Sequence, residues 1–391
     1  RPHNEDAVLS EPEAGLFVVA DGVGGRAAGE VASALTIEAF QHSAPQLSAA
    51  IQAYNSQADW STRNRVLGAL DQVCQQATRL VYDRAEHEGR RGMASTVVTA
   101  LFGDGVVFVC HVGDSRAYLA RGGVLRQLTE DHSMVNEFVR TGRMTYEEAR
   151  NSQYNNVITR AVGLYPTVQT DIMCVDMEPG DRLLLCSDGL SDPVPLEEMQ
   201  QLTSRNDVNT ASDELIRAAL EHGGPDNVSV LLVEPSASVS YEAARARAQV
   251  MEQLFLFRNL PFPALLRVSR ICEDLFFQPG QVLVEQGAMG DSMYVIVKGE
   301  VRVSHNNVEL ARLGPGEHFG EMTLLDQHPR SATVKGLTGG SAVVVRRSHL
   351  YDFCKRDPEL GIQLLWKLLT TLGQRLRETN VLTAQRIIED S

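Results

Sequence analysis

Five aspartates stand in turns or at strand ends along the first part of the chain. They are Asp6 in Arg1-Pro-His-Asn-Glu5-Asp6, Asp21 in Val-Val-Ala-Asp21-Gly22-Val-Gly-Gly, Asp114 in Val-Gly-Asp114-Ser-Arg, Asp188 in Leu-Leu-Cys-Ser-Asp188-Gly-Leu-Ser-Asp192, and Asp226 in Gly-Gly-Pro-Asp226-Asn-Val-Ser-Val. An apolar run abuts each of them, and carboxylates at strand termini can converge on one end of a packed sheet pair. A lone Asp-Gly is ordinary turn chemistry. The ordered set reads instead as an oxygen-rich cage. Carboxylates, a backbone carbonyl and water, with no Cys or His cluster visible in the spacing, select hard octahedral cations such as Mg2+ or Mn2+.

Taken in order, and with Thr129-Glu-Asp-His132-Ser and Ile158-Thr-Arg-Ala-Val-Gly163 between the third and fourth, these blocks resemble the metal-dependent type 2C (PPM) protein serine/threonine phosphatases over residues 1–234. The resemblance implies that Asp21 bridges two ions, that the Gly22 carbonyl and Glu5 complete one of them, and that Asp188 and Asp226 complete the other. It further implies that Asp6 orients metal-bound water, that Asp114 and Asp192 hold a third, looser ion, and that Arg1 grips the phosphate. A planar guanidinium suits that last task because it can hold two phosphate oxygens at once. Two or three Mn2+ or Mg2+ ions are thus expected, acting on water and on the charge of a phosphoryl group.

The chain departs from the family at two places. Eukaryotic members usually carry a histidine after the Asp-Gly of the second block, where this chain has Val23, so leaving-group protonation falls to water or another group. The family also has a strand and a short lead before its arginine, whereas this sequence opens on Arg1, as a trimmed sequence or one lacking that strand would. Gly22-Val-Gly24-Gly-Arg-Ala27 also fits the loose dinucleotide fingerprint, which needs a helix and then a second parallel strand ending in an acid about 20 residues on. Residues 30–41 continue as helix and the next forty stay polar and helical, so the glycines are better read as close backbone approach beside the cage.

A different pattern follows Val233. Gly290-Asp-Ser-Met-Tyr-Val-Ile-Val-Lys-Gly299 and Phe319-Gly320-Glu321-Met322-Thr-Leu-Leu-Asp-Gln-His-Pro-Arg330-Ser331-Ala332 resemble the phosphate-binding cassette of cyclic nucleotide-binding domains, over about residues 254–382. A helical turn opening at Gly320 would point N–H groups at an anion. Glu321 would accept the ribose hydroxyl, Arg330 would contact the exocyclic phosphate oxygens, and Ser331 would add a donor. Thr379 and Asn380 match the pair that touches adenine in regulators of the catabolite activator type, which tilts the ligand toward cAMP over cGMP. In those regulators the long last helix forms the dimer, so the seam Ile362, Leu365, Leu369, Leu372, Leu376 suggests a homodimer. With eleven residues after Asn380 no helix-turn-helix is expected, and the sequence is not read as a transcription factor.

The elements that must position these residues are short strands around long helices. Strands are expected at 16–20, 95–102, 105–112, 115–120, 124–128, 182–186 and 228–233, with helices at 29–41, 63–88 and 209–222. Residues 132–160, with a helix start at Thr145, correspond to the flap near the cleft in bacterial relatives. Residues 235–253 read as a helical linker, with Tyr241–Leu256 as a connecting helix. Alternating strands at 281–285, 293–298, 300–305, 308–313, 331–335 and 342–346, with an Asn306-Asn307 turn, read as a small jelly roll, and Asp357-Pro358 starts a last helix. The fold class is therefore α+β: a PPM-type αββα sandwich at 1–234, then a jelly-roll nucleotide-binding domain with C-terminal helices at 254–391.

At 391 residues the chain suits two domains. The net charge of −14 is uneven: residues 1–240 carry 33 acids against 18 arginines and no lysine, which argues against nucleic acid as a partner. Six scattered cysteines without C-x-x-C spacing read as reduced thiols, and no apolar run reaches the ~20 residues needed to span a bilayer. The resulting reading is a cytoplasmic bacterial phosphoprotein phosphatase regulated by a cyclic nucleotide, without a membrane partner. The alternative is a nucleotide-sensing scaffold whose phosphatase domain is silent.

Overall fold

The computed structural model describes the chain outside residues 1–2, 24–27, 146–147, 149–151, 153, 155–156, 206, 236–253, 255, 270, 327 and 390–391, and outside the side chains of 262–263, 266, 356, 375–376 and 378–389. It divides into two units, Arg1–Tyr241 and Glu242–Ser391. The connecting helix expected at 241–256 falls almost wholly outside the described residues, as do Arg1 and the side chains of Thr379 and Asn380.

The first unit is built on two antiparallel sheets. Strands β1 (Asp6–Glu11), β2 (Leu16–Val23), β4 (Val97–Gly103), β5 (Val106–Val112) and β8 (Asp171–Asp176) run side by side in that order, with β3 (Ala94–Ser95) on β2. The other sheet has the order β10 (Val230–Val233), β9 (Arg182–Cys186), β6 (Arg116–Arg121), β7 (Val124–Gln127). Helices α1 (Ala28–Ser56) and α2 (Trp60–His87) cover the first sheet, and Leu16, Val18, Phe108 and Cys110 pack beneath Phe40, Leu47, Leu70 and Val73 of those helices. β5 is buried at all seven positions, as a strand covered on both faces must be. Short helices α3 (Met134–Arg140) and α4 (Asp188–Ser191) follow β7 and β9, and α5 (Leu196–Thr203) and α6 (Val208–Glu221) close the outer face of the second sheet over Tyr118, Leu184 and Leu232. This is the αββα sandwich.

Two departures have physical causes. The first helix runs on to Ser56, through Pro45, where the propensity of proline marks an end. Leu47, Ala50, Ile51 and Tyr54 beyond it are buried against α2, and that packing outweighs one missing N–H bond. Strands β1 and β8 were not expected because each is short, mixed in polarity and defined by its neighbour: β1 pairs residue by residue with β2, and β8 with β5.

The second unit has two four-stranded sheets, β11 (Cys272–Phe277), β18 (Gly340–Arg346), β13 (Ser292–Lys298), β16 (His318–Phe319) and β12 (Val282–Val284), β17 (Thr333–Gly336), β14 (Val301–His305), β15 (Val308–Leu313). That pair of sheets is the jelly roll. Asn306 and Asn307 turn β14 into β15 with φ of 49° and 65°, the left-handed pair that a two-residue hairpin demands. Helices α7 (Phe262–Ser269), α8 (Arg347–Arg356) and α9 (Pro358–Glu389) flank it. Asp357 caps α9 by accepting from the Leu360 N–H at 3.2 Å. The buried stripe of α9 is Leu360, Leu364 and Leu368, and Leu365 and Leu372 of the expected seam pack partly buried against the same core, so the seam is split between the domain's own core and the surface. Ile362, Trp366 and Leu369 are left exposed. Among the described residues no helix is long and apolar enough to cross a membrane.

Candidate functional site

The β1–β2 hairpin sets Asp6 directly opposite Asp21, and the Gly22 N–H closes the pair by donating to the Glu5 carbonyl at 3.0 Å. Every main-chain group of Asp21 is held: its N–H donates to Thr96 Oγ1 at 3.1 Å, and its carbonyl accepts from the Thr96 N–H at 2.7 Å and Ser95 Oγ at 3.0 Å. Thr96 Oγ1 also meets Ser115 Oγ at 2.6 Å, which ties the loop of Asp114 to the same point. From the second sheet, Ser187 Oγ donates to Asp6 Oδ2 at 2.8 Å and accepts from the Ser229 N–H at 3.0 Å. Asn227 Oδ1 accepts from the Glu5 N–H at 3.0 Å. The Asp188 turn and the Asp226 turn touch: a Cβ on Gly189 would lie 1.9 Å from the Asn227 carbonyl oxygen. Strand ends from both sheets thus bring Glu5, Asp6, Asp21, Asp188 and Asp226 together.

The electrostatics show how closely. Burial, then the charges of Asp188 and Asp6, push the Asp21 carboxyl well above its usual range. Burial also raises Asp6, with Asp226 adding repulsion and hydrogen bonds from Ser187 and Ser229 opposing it. Asp114 is pushed up to about 7 by burial and by Asp188, Asp131 and Asp192. Carboxylates crowded this way disfavour one another's charge, and a divalent cation reverses that disfavour. The glycines add a cradle. A Cβ on Gly22 would lie 2.0 Å from the Gly29 carbonyl oxygen, and one on Gly29 would lie 2.6 Å from the Gly22 oxygen and 2.8 Å from Glu5 Oε1. Backbone approach of this kind excludes any side chain and leaves two oxygens facing one spot. The donor set is all oxygen and fits Mg2+ or Mn2+.

Asp192 differs from the rest. Its side chain is about half exposed and lies 3.7 Å from Arg116 Nη2, whose guanidinium is already held bidentate by Asp131 at 2.7 and 2.9 Å. It lies near enough to Asp114 for its charge to raise that carboxyl, but is more exposed than the buried carboxylates.

A second cluster escaped the sequence reading. His111 and His132 stack with centroids 4.4 Å apart, and with Asp171 their ligand-capable atoms lie within 4.8 Å of one another. Hydrogen bonds already commit them. The Gly113 N–H donates to His132 Nδ1 at 3.1 Å, His132 Nε2 faces Asp171 Oδ2 at 3.4 Å, Arg160 Nη1 reaches Asp171 Oδ1 at 3.0 Å, and His111 Nε2 meets the Glu130 carbonyl at 2.9 Å. Burial pushes His132 down to about 4, with neighbouring His111 adding to it, so the ring is neutral and free to accept at Nδ1. Burial raises Asp171, yet the His132 hydrogen bond and the Arg160 charge hold it well below the usual carboxylate range. The signal was present in Thr129–Ser133 and Ile158–Gly163, two blocks noted without a role.

In the second unit, Gly320 adopts φ 80° and opens a 3-10 turn over Glu321–Leu324. Glu321 and Arg330 are buried, whereas Met322 and Ser331 are exposed. The Arg330 guanidinium donates to the Ser292 carbonyl at 2.8 Å and to Thr323 Oγ1 at 3.2 Å, and lies over the Tyr294 ring at 5.9 Å. A Cβ on Gly290 would lie 2.0 Å from Arg330 Nε, so the glycine makes room for the arginine. The expected cassette residues therefore share one corner of β13 and the turn after β16.

Residues 2–231 match the family model "Protein phosphatase 2C", and residues 274–357 match "Cyclic nucleotide-binding domain". The serine/threonine phosphatase stp of Listeria innocua is 37% identical over 239 residues, which span 60% of this chain and 91% of that one. The crystal structure of the Mycobacterium tuberculosis serine/threonine phosphatase PstP superposes with a TM-score of 0.52 at 36% identity, over 60% of this chain and 94% of that one. The catalytic domain of PstP solved with two manganese ions is 37% identical, with a TM-score of 0.50 over 59% of this chain and 91% of that one. This chain belongs to the PPM family of metal-dependent protein serine/threonine phosphatases and carries, after its phosphatase domain, a cyclic nucleotide-binding domain.

Proposed function

We propose that the enzyme removes phosphate from phosphoserine and phosphothreonine in proteins with two Mn2+ or Mg2+ ions, and that cAMP bound by the second domain sets its rate. The observation that carries the first half is the crowding of buried, mutually repelling carboxylates around Asp21. Asp21 would bridge the ions, with Glu5 and the Gly22 carbonyl on one side and Asp188 and Asp226 on the other. Asp114 and Asp192 would hold a third, and the half-exposed Asp192 suits a loosely held ion. When bound, such ions acidify water and neutralise charge building on the phosphoryl oxygens. Asp6, fixed by Ser187, orients the attacking water and accepts from it. Arg1 is proposed to grip the phosphate. With Val23 where eukaryotic relatives carry histidine, water protonates the leaving oxygen.

For the nucleotide, Glu321 would take the ribose hydroxyl, Arg330 the phosphate with help from Gly320, Met322 and Ser331, and Thr379 with Asn380 the adenine. The support is the intact arginine in its glycine-lined corner. A homodimer through α9 belongs to the same reading, because Ile362, Trp366 and Leu369 leave an apolar stripe exposed at steps of four and three. The test is phosphate release from a phosphothreonine peptide under Mn2+ titration, with and without saturating cAMP or cGMP, beside calorimetry of nucleotide binding. Metal-dependent turnover that changes with cAMP is expected. Absent turnover would favour the silent scaffold, and equal rates with and without bound nucleotide would end the regulatory claim.

A further inference from the structure

His132 is bonded to both main-chain polar groups of one residue. The Gly113 N–H donates to its Nδ1 at 3.1 Å, and its own N–H donates to the Gly113 carbonyl at 2.8 Å. Gly113 precedes Asp114 and has φ of 107°, a conformation with little intrinsic preference to hold it in place. Its other constraint is steric: a Cβ there would lie 2.7 Å from Thr96 Cβ and Cγ2. The imidazole is oriented in turn by Asp171 and Arg160 and by its stack on His111.

His132 also gathers the two ends of the segment at 133–160. Its carbonyl accepts from the Thr159 N–H at 2.7 Å, Ser133 bridges Ile158, and the Met134 N–H donates to the Val157 carbonyl at 2.8 Å. We propose that His132 is a positioning residue for the third cation: by clamping Gly113 it aims the Asp114 carboxylate, and it ties that aim to the segment between His132 and Arg160. The proposal rests on the reading that Asp114 and Asp192 hold an ion.

An amide oxygen in asparagine can stand where Nδ1 stands, while glutamine places its amide nearer Nε2 and leaves the Gly113 N–H without its acceptor. The Mn2+ concentration for half-maximal activity on a phosphothreonine peptide is therefore measured for the wild type, His132→Gln, His132→Asn and Asp192→Ala, with a thermal melt of each. We expect His132→Gln to raise the midpoint about five- to tenfold, the value of one lost hydrogen bond of this kind, with turnover recovered at saturating Mn2+. The midpoint of His132→Asn should stay within about twofold. Equal shifts in both variants, or none in either, overturn the assignment. An unmoved midpoint in Asp192→Ala would sink the third-ion reading itself, whereas a moved one beside an unmoved His132→Gln refutes the clamp alone. Should His132→Gln not fold, His132→Asn decides: a midpoint raised about fivefold or more with the Gly113 acceptor kept refutes the clamp.

Discussion

Replacing Gly29 by alanine sets two well-understood effects against each other. Gly29 lies in the first turn of α1, and alanine in a helix is favoured over glycine by up to about 1 kcal/mol. On propensity alone the variant would be more stable. The structure reverses the sign. The new methyl carbon would lie 2.6 Å from the Gly22 oxygen, 2.8 Å from the Gly22 carbon and 2.8 Å from Glu5 Oε1. Ordinary contact begins nearly an ångström further out, and the Gly22 atoms are backbone, fixed by the Glu5 carbonyl and the pairing of β2 with β3. Overpacking of this sort costs about 1–3 kcal/mol, so the net expectation is a loss of about 0–2 kcal/mol after the helix gain of about 1 kcal/mol is subtracted. The damage also falls on two oxygens proposed to share one ion, so Mn2+ binding should weaken together with turnover. Urea melts without metal give the stability change, and calorimetry with a phosphopeptide assay gives the rest. A variant that melts higher than wild type and binds Mn2+ equally well would refute the close approach and the ligand assignment at once.

Asp21→Asn should lose several kcal/mol of transition-state stabilisation, a drop of about a hundredfold or more in turnover with Mn2+ supplied. The metal-free variant should melt higher than wild type, because burial and the charges of Asp188 and Asp6 disfavour this carboxylate. Arg330→Ala should weaken cyclic nucleotide binding by about 1.5–3 kcal/mol in calorimetry, and Gly290→Ala should act in the same direction by driving Arg330 from its seat. For pH, His132 is depressed to about 4, so below about 6.5 the unfolded chain binds a proton that the folded one refuses. Stability is therefore lost as pH falls from about 6.5 to about 4, by on the order of 3 kcal/mol. Asp21 and Asp114, whose carboxyls are raised in the folded state, act in the opposite sense. The effect is therefore read as a difference: in metal-free urea melts the wild type should lose stability relative to His132→Asn over that pH range, and equal slopes would refute the buried neutral imidazole.

What could be read from the sequence, and what could not, follows from the range of each interaction. The five aspartates were legible because each sits in a turn beside an apolar run, a local pattern that repeats in order along the chain. The residues that hold those aspartates were not. Ser187 reaches Asp6 across 181 positions and Asn227 reaches Glu5 across 222, and no spacing rule links a serine to a carboxylate on another sheet. Cys74 and Cys110, read from their spacing as scattered reduced thiols, are free and lie with sulfurs 3.3 Å apart because α2 packs on β5. The glycines of the second block show the same limit in reverse. Their type announced a close approach, but only the fold could name the Gly29 backbone as what approaches Gly22. In the second unit, a short motif with a local turn carried the cassette, whereas the exposed face of α9 depended on which stripe its own domain claimed first, and Leu360, Leu364 and Leu368 won it. Chemistry-bearing residues in turns are thus readable from the chain alone. Their supports belong to the sheets that meet behind them, and so the prediction that most directly probes the cage perturbs Gly29, which bears no functional group at all.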